Sequence, residues 1–315
     1  MTHSPPPGRP RARIPGPQQP PPPYPRIRAN LWRHGLAGGL VVWALTACLA
    51  YATRSTAPLP ALILLGGFLV PVVFVLWAYE RHARDLGVSP ILGCFLTGAA
   101  LGLPGAAPLE SYLPHPSLGA LFTVALAGEA AKLGALVFAL RRQPGLRGTR
   151  AGLVLGACVG LGFAAPESIG YAVTAVSTAG HDLRTLLETE LPRGVLTPFG
   201  HGLWTAIAGG ALLSLRRLDG RFRFAPPVAA AWMGVGLLHT LWDSTHGVAL
   251  RMAARLSGTG LGSRLFAPAP PARPEAAQQH LSALFSAAGL VLVTLAGLGW
   301  LRSLTRRNPP WRNTP

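Results

Sequence analysis

The 315-residue chain is 50% hydrophobic and only 12% charged, about half the charged share of a soluble globular domain. So small a polar coat excludes an ordinary soluble enzyme and makes lipid the expected solvent. The net charge of +17 raises the question of nucleic acid, but the 27 Arg and single Lys fall in short clusters between long apolar runs, the imprint of membrane topology. No recognition helix, zinc finger or basic-aromatic stripe is present, so no nucleic-acid partner is expected.

Residues 1–28 hold 11 prolines and five arginines. Residues 1–30 are therefore read as a disordered, polyproline-like basic tail, too long for the basic region of a signal peptide and suited to anionic lipid headgroups. Eight apolar stretches follow, near 35–53, 59–79, 88–103, 117–140, 151–177, 195–215, 226–249 and 281–301. Most reach the roughly 20 residues that span a bilayer core, and helix is the form that satisfies its own backbone in lipid. The expected fold is all-α: a polytopic transmembrane bundle of about eight helices over residues 31–303, closed by a basic tail at 304–315. Eight spans divide the arginines 20 to 7 between the two sides, with both termini on the richer side. That asymmetry predicts a multi-pass cell-membrane protein with cytoplasmic termini. The Pro-, Arg- and Ala-rich loop at 250–280 is expected to be irregular.

Cys48, Cys94 and Cys158 all sit in apolar runs, which offers neither a disulfide framework nor a CxxC metal site. Leu45-Thr46-Ala47-Cys48 matches a lipoprotein cleavage box but lies inside an apolar run, where such a match is coincidental. Gly98–Gly102 and Gly156–Gly160 have the small-xxx-small spacing of close helix contacts.

A few polar residues interrupt the apolar stretches. Glu129 and Lys132 lie in the fourth, Glu167 in the fifth, His201 in the sixth, and His239 with Asp243 in the seventh. Facing lipid, four such groups would cost on the order of 10 kcal/mol, so they are expected to face one another or a wet cavity. At 1.5 Å per residue, Glu129, Glu167, His201, His239 and Asp243 fit within roughly 7 Å of the midplane. Glu129 and Lys132 are spaced i,i+3 and can pair. His239 and Asp243 are i,i+4, so the carboxylate can hold the imidazole in one tautomer. Phe163, Glu167 and Tyr171 form one stripe, and His201 and Thr205 share a face. A carboxylate with two histidines is a minimum kit for activating water, by general base action or around a metal. The plainer reading of each residue is structural: a neutralised ion pair, an interhelical hydrogen bond, a satisfied core histidine.

Four motifs in order resemble the PrsW family of intramembrane proteases, relatives of the CAAX-protease group. They are Gly128-Glu129-Ala130-Ala131-Lys132, Gly162-Phe163-Ala164-Ala165-Pro166-Glu167, Pro198-Phe199-Gly200-His201 with Thr205, and His239-Thr240-Leu241-Trp242-Asp243, within roughly residues 60–250. The resemblance implies an intramembrane endopeptidase acting on single-pass membrane proteins, such as anti-sigma-type regulators, within the lipid bilayer. It implies catalytic roles for Glu167, His201, His239 and Glu129, with Lys132, Asp243 and Phe163 in support. Glu167 would take a proton from water, while His201 and His239 position that water or bind a metal. The cofactor is then either none or a zinc-like divalent ion on His201, His239 and Glu167; no HExxH is present. One departure is Gly128, which stands where the family has the first Glu of Glu-Glu-x-x-Lys. Glu129 lies about 100° around the helix from it and is no simple substitute. Two alternatives stay open on the residues alone: an inactive relative that binds membrane helices, and a proton-coupled transporter.

Overall fold

A computed structural model describes residues 30–105, 117–178, 180, 182–256 and 276–307. The N-terminal tail up to residue 29, most of the 250–280 loop and the C-terminal residues from 308 lie outside the described residues. Among those described there are nine α-helices and no strand: α1 (Leu31–Thr53), α2 (Leu59–Leu86), α3 (Val88–Gly105), α4 (Leu118–Leu140), α5 (Thr149–Thr178), α6 (Leu183–Leu196), α7 (His201–Ser214), α8 (Pro226–Leu256) and α9 (Ala276–Arg307).

Seven of the eight apolar stretches each fall on one helix. Five helices, α1, α2, α4, α5 and α9, are long and apolar enough to cross a membrane. α3, α7 and α8 fall outside that set. The sixth stretch, 195–215, is not one helix: the 3-10 turn Thr197–Phe199 and Gly200 interrupt it, leaving α7 with 14 residues. α6 occupies a segment expected to be a loop. Its sequence carries local helix signals: the Asp182 carboxylate accepts from the Thr185 N–H at 3.0 Å, and Arg184 pairs with Glu188 at 2.7 Å one turn on. The Thr185 N–H bond holds the Asp182 carboxyl below its ordinary range.

α5 is the most buried of the long apolar helices and packs chiefly on α7 and α3. Glycine makes both contacts possible. A Cβ at Gly152, Gly156 or Gly160 would collide with the backbone carbonyls of Gly209, Thr205 or His201 on α7. On the other side, Gly98 and Gly102 of α3 sit against the Val159 and Phe163 carbonyls of α5. Both small-residue pairs are thus helix seams, the means by which backbones approach in lipid, where apolar burial alone does not drive helices together. Cys94 and Cys158 are buried in the core, Cys48 is exposed, and all three are free.

The far end of α7 is tied down by Arg216, which is buried. Its guanidinium donates to the carbonyls of Gly220, Gln143, Leu146 and Leu140 at 2.8–3.0 Å and stacks on Phe222. This joins the α4–α5 connection to the α7–α8 connection and sets the register of the four helices that carry the site.

Candidate functional site

α4, α5, α7 and α8 each turn polar side chains into one interior cluster. On α4 the buried face runs through Ala125, Glu129, Lys132 and Leu136, so Glu129 and Lys132 point inward together. Their side chains are fully buried and paired at 2.7 Å. Isolated, either charge would cost several kcal/mol of desolvation; each also finds a second polar partner.

The Lys132 ammonium lies 2.8 Å from His201 Nδ1 and 4.5 Å from the centre of the Phe163 ring. An ammonium has only protons to give, so His201 Nδ1 accepts and its Nε2–H is the donor. That Nε2 lies 2.8 Å from Glu167 Oε2. On α8, His239 Nδ1 donates to Glu129 Oε1 at 3.0 Å, and its Nε2 lies 3.4 Å from Asp243 Oδ2. Glu129 therefore makes the shorter contact to His239, and Asp243 approaches the opposite ring nitrogen. The result is a continuous polar chain: Asp243, His239, Glu129, Lys132, His201, Glu167.

Aromatic rings wall this chain. The His201 and His239 rings are 5.3 Å apart, Trp204 lies 4.5 Å from His239, and Phe163 lies 5.5 Å from His201. Such walls exclude water and strengthen each charge interaction inside. Beside this chain, three buried polar atoms have no protein partner among the described residues: Glu129 Oε2, Trp204 Nε1 and Thr205 Oγ1. Thr205 faces Gly160 of α5.

The backbone positions these groups through α5 and the start of α7. Pro166, directly before Glu167, withholds an N–H from the helix ladder at that turn. His201 opens α7 directly after Gly200, and the α5 glycine seam presses its carbonyl against Gly160. Donor atoms of Glu129, His201 and His239 all lie within 4.8 Å of one another. This set has Glu129 where Glu167 was expected beside the two histidines; Glu167 instead meets His201 at Nε2.

Every residue singled out from the sequence is thus in or beside one cluster. Phe163 and Tyr171 flank Glu167 on the same stripe. Nothing in the sequence points to Arg193, which falls between the fifth and sixth apolar stretches. It lies on α6, with Nη2 3.0 Å from Glu167 Oε2, Nε 3.2 Å from Ser168 Oγ, and its guanidinium over Tyr171 at 4.1 Å. The capped, i,i+4-paired segment 183–196 was readable as a helix; nothing in the spacing pointed its arginine at Glu167.

No curated protein and no solved structure matches the chain. The family model described as PrsW family intramembrane metalloprotease matches residues 87–269, more than half of the chain and all the polar residues above. The chain is a membrane protein that belongs to the PrsW family of intramembrane proteases.

Proposed function

We propose that the chain hydrolyses a peptide bond of a single-pass membrane protein, at the α4–α5–α7–α8 cluster. One observation carries the reading: buried and half-buried acids and bases from four helices join in one polar chain that ends on the Glu167–His201 contact of 2.8 Å. A purely structural network has no need to place two imidazoles and two carboxylates within reach of one another.

In the reaction, Glu167 takes a proton from water as the water oxygen attacks the peptide carbonyl carbon. The C–N bond then breaks, and Glu167 returns that proton to the leaving nitrogen. Lys132 fixes the His201 tautomer, so the imidazole N–H orients the Glu167 carboxylate. Glu129 holds His239 by Nδ1, and Asp243 faces its other nitrogen. His239 then presents a polarised ring to the developing charge on the substrate oxygen.

A divalent metal fits the donor set. One carboxylate and two imidazoles are the ligand types of hydrolytic zinc sites. Glu129 Oε2 is buried without a protein partner among the described residues, and Glu129 and His201 already hold one cation, the Lys132 ammonium, between them. A metal held by Glu129, His201 and His239 would take the place of the Lys132 ammonium on His201, and it would supply a water of lowered pKa and polarise the peptide carbonyl.

The arginine asymmetry supports an eight-span, multi-pass arrangement in which α3, α7 and α8 complete the bundle and both termini are cytoplasmic. A second reading is favoured by Gly128, which removes the first Glu of the family motif: a relative that binds membrane helices without cutting them. Purified chain in proteoliposomes with a single-pass substrate in heavy-oxygen water separates the two. Hydrolysis places one heavy oxygen on the new C-terminal carboxylate. Stable binding of intact substrate supports the second reading and contradicts the first.

A further inference from the structure

Glu167 is contacted on one side by α6. This helix is 14 residues long, carries Pro192 in its interior and is followed by a 3-10 turn. A glycine lies a few residues beyond each end: Gly180 has φ 71°, in the left-handed region, and Gly200 has φ −95° and ψ −109°. Backbone of this kind absorbs hinge rotations that other residues resist. The outward face presents Leu191 and Val195, which are 55% and 67% exposed.

The inward face is held at three points. Leu186 is fully buried against the α1–α2–α5 side of the bundle. The Glu190 carboxylate accepts from Trp43 Nε1 at 3.1 Å and fills the space that Gly66 leaves open, with Oε1 buried and unpartnered among the described residues. Arg193 takes the Glu167 carboxylate on the same Oε2 that His201 contacts. The Arg193 side chain is 27% exposed and that of Glu167 only 15%, so the guanidinium lies between the catalytic carboxylate and the outside. A peptide carbonyl approaching Glu167 from that side meets Arg193 first. A carboxylate bound by a guanidinium is also a poor proton acceptor.

We propose that α6 is a lateral gate over the site and Arg193 its latch, released when an extended substrate segment offers its own carbonyl or carboxylate oxygens to the guanidinium. This rests on reading Glu167 as the working carboxylate. The resting chain is closed, and Arg193 passes from Glu167 to substrate as the gate opens, freeing Glu167 for water. Arg193 is thus a positioning residue that couples substrate arrival to the availability of the base. Leu191 and Val195, exposed on the outward face, are the first part of the gate that a substrate helix meets.

The test reads the gate without requiring hydrolysis. In full-length protein in nanodiscs, the thiol introduced by Ser168→Cys, which sits under Arg193, is labelled with a charged methanethiosulfonate. The rate is followed peptide by peptide, so the native cysteines stay in place. Glu167→Gln keeps the volume of both partners and removes the ion pair; labelling is expected to accelerate about tenfold, the shift in opening that follows loss of one charge-assisted hydrogen bond. Arg193→Ala is expected to match or exceed that rate. Arg193→Lys, which keeps the charge on Glu167 but loses the planar guanidinium, should fall between it and the Ser168→Cys parent. Labelling of Glu167→Gln at the wild-type rate overturns the latch. Cleavage is scored separately: faster labelling in a chain that cuts nothing retains the gate and removes the hydrolase reading, whereas cleavage with indifferent labelling does the reverse.

Discussion

Gly160→Ala tests whether the α5–α7 seam sets the site geometry. A Cβ at Gly160 would collide with the His201 carbonyl oxygen and lie 2.8 Å from both the His201 carbonyl carbon and Thr205 Oγ1. Ordinary carbon contacts are about 3.5–4.0 Å, so the two backbones must part by roughly 1 Å. Neither side can yield by rotating a side chain, because the obstacle is backbone. Overpacking of this kind costs about 1–3 kcal/mol, which for a domain of this size lowers Tm by roughly 3–10 °C. The larger effect falls on function. His201 is the first residue of α7, so the displacement moves its imidazole away from Glu167 and Lys132, and a shift of about 1 Å at a reacting group can cost on the order of 100-fold in rate. The assay is substrate cleavage in proteoliposomes alongside thermal unfolding in detergent. Gly128→Ala is the control: no atom lies within 4 Å of a Cβ there, and Tm should hold or rise by helix propensity. The reasoning is refuted if Gly160→Ala melts and cleaves like wild type.

Three further outcomes follow from the same contacts. Gly128→Glu restores the family motif into open space, four residues before Lys132; cleavage should rise roughly tenfold or more if a second carboxylate assists proton transfer, and an unchanged rate would show that Glu167 alone suffices. Purified wild type should retain zinc near equimolar after gel filtration, and chelation should remove activity. His239→Ala should lose both metal and activity, whereas retention of full zinc content by this variant would place the metal elsewhere. Arg216→Lys exchanges a planar fork bound to four carbonyls for a point charge with three donors, and should cost about 2–4 kcal/mol, read as a fall in Tm. A Tm equal to wild type would mean the clamp is dispensable.

Much of the site was legible because ionisable residues in apolar helices have few acceptable environments. Glu129, Lys132, Glu167, His201 and His239 stand out against their neighbours, and the desolvation cost alone argues for convergence. Spacing also located the glycine seams, since Gly156 and Gly160 share a face of α5. The internal wiring was not legible. The i,i+4 spacing of His239 and Asp243 suggested that Asp243 is the principal partner of the imidazole. The shorter contact comes from Glu129 on another helix, and no one-dimensional pattern records which of two carboxylates is nearer. Likewise Lys132 was read as a counterion to Glu129, and its second bond to His201 depends on how α4 and α7 are rotated. The sixth apolar stretch misled because apolarity continues through Val195, Leu196 and Phe199 while Pro198 and Gly200 break the helix. α6 was missed for the opposite reason: it is too polar to read as a span, and its helix signals were set aside when its arginines were counted as loop charges. Arg193 was lost with it.

The central claim is that Glu167 is the base of a hydrolytic site assembled from four helices. It is tested most directly by comparing wild type with Glu167→Gln in proteoliposomes carrying one single-pass substrate, with matched Tm values. The account predicts cleavage by wild type and a loss of at least about 100-fold in the variant. Cleavage by Glu167→Gln at the wild-type rate would contradict it.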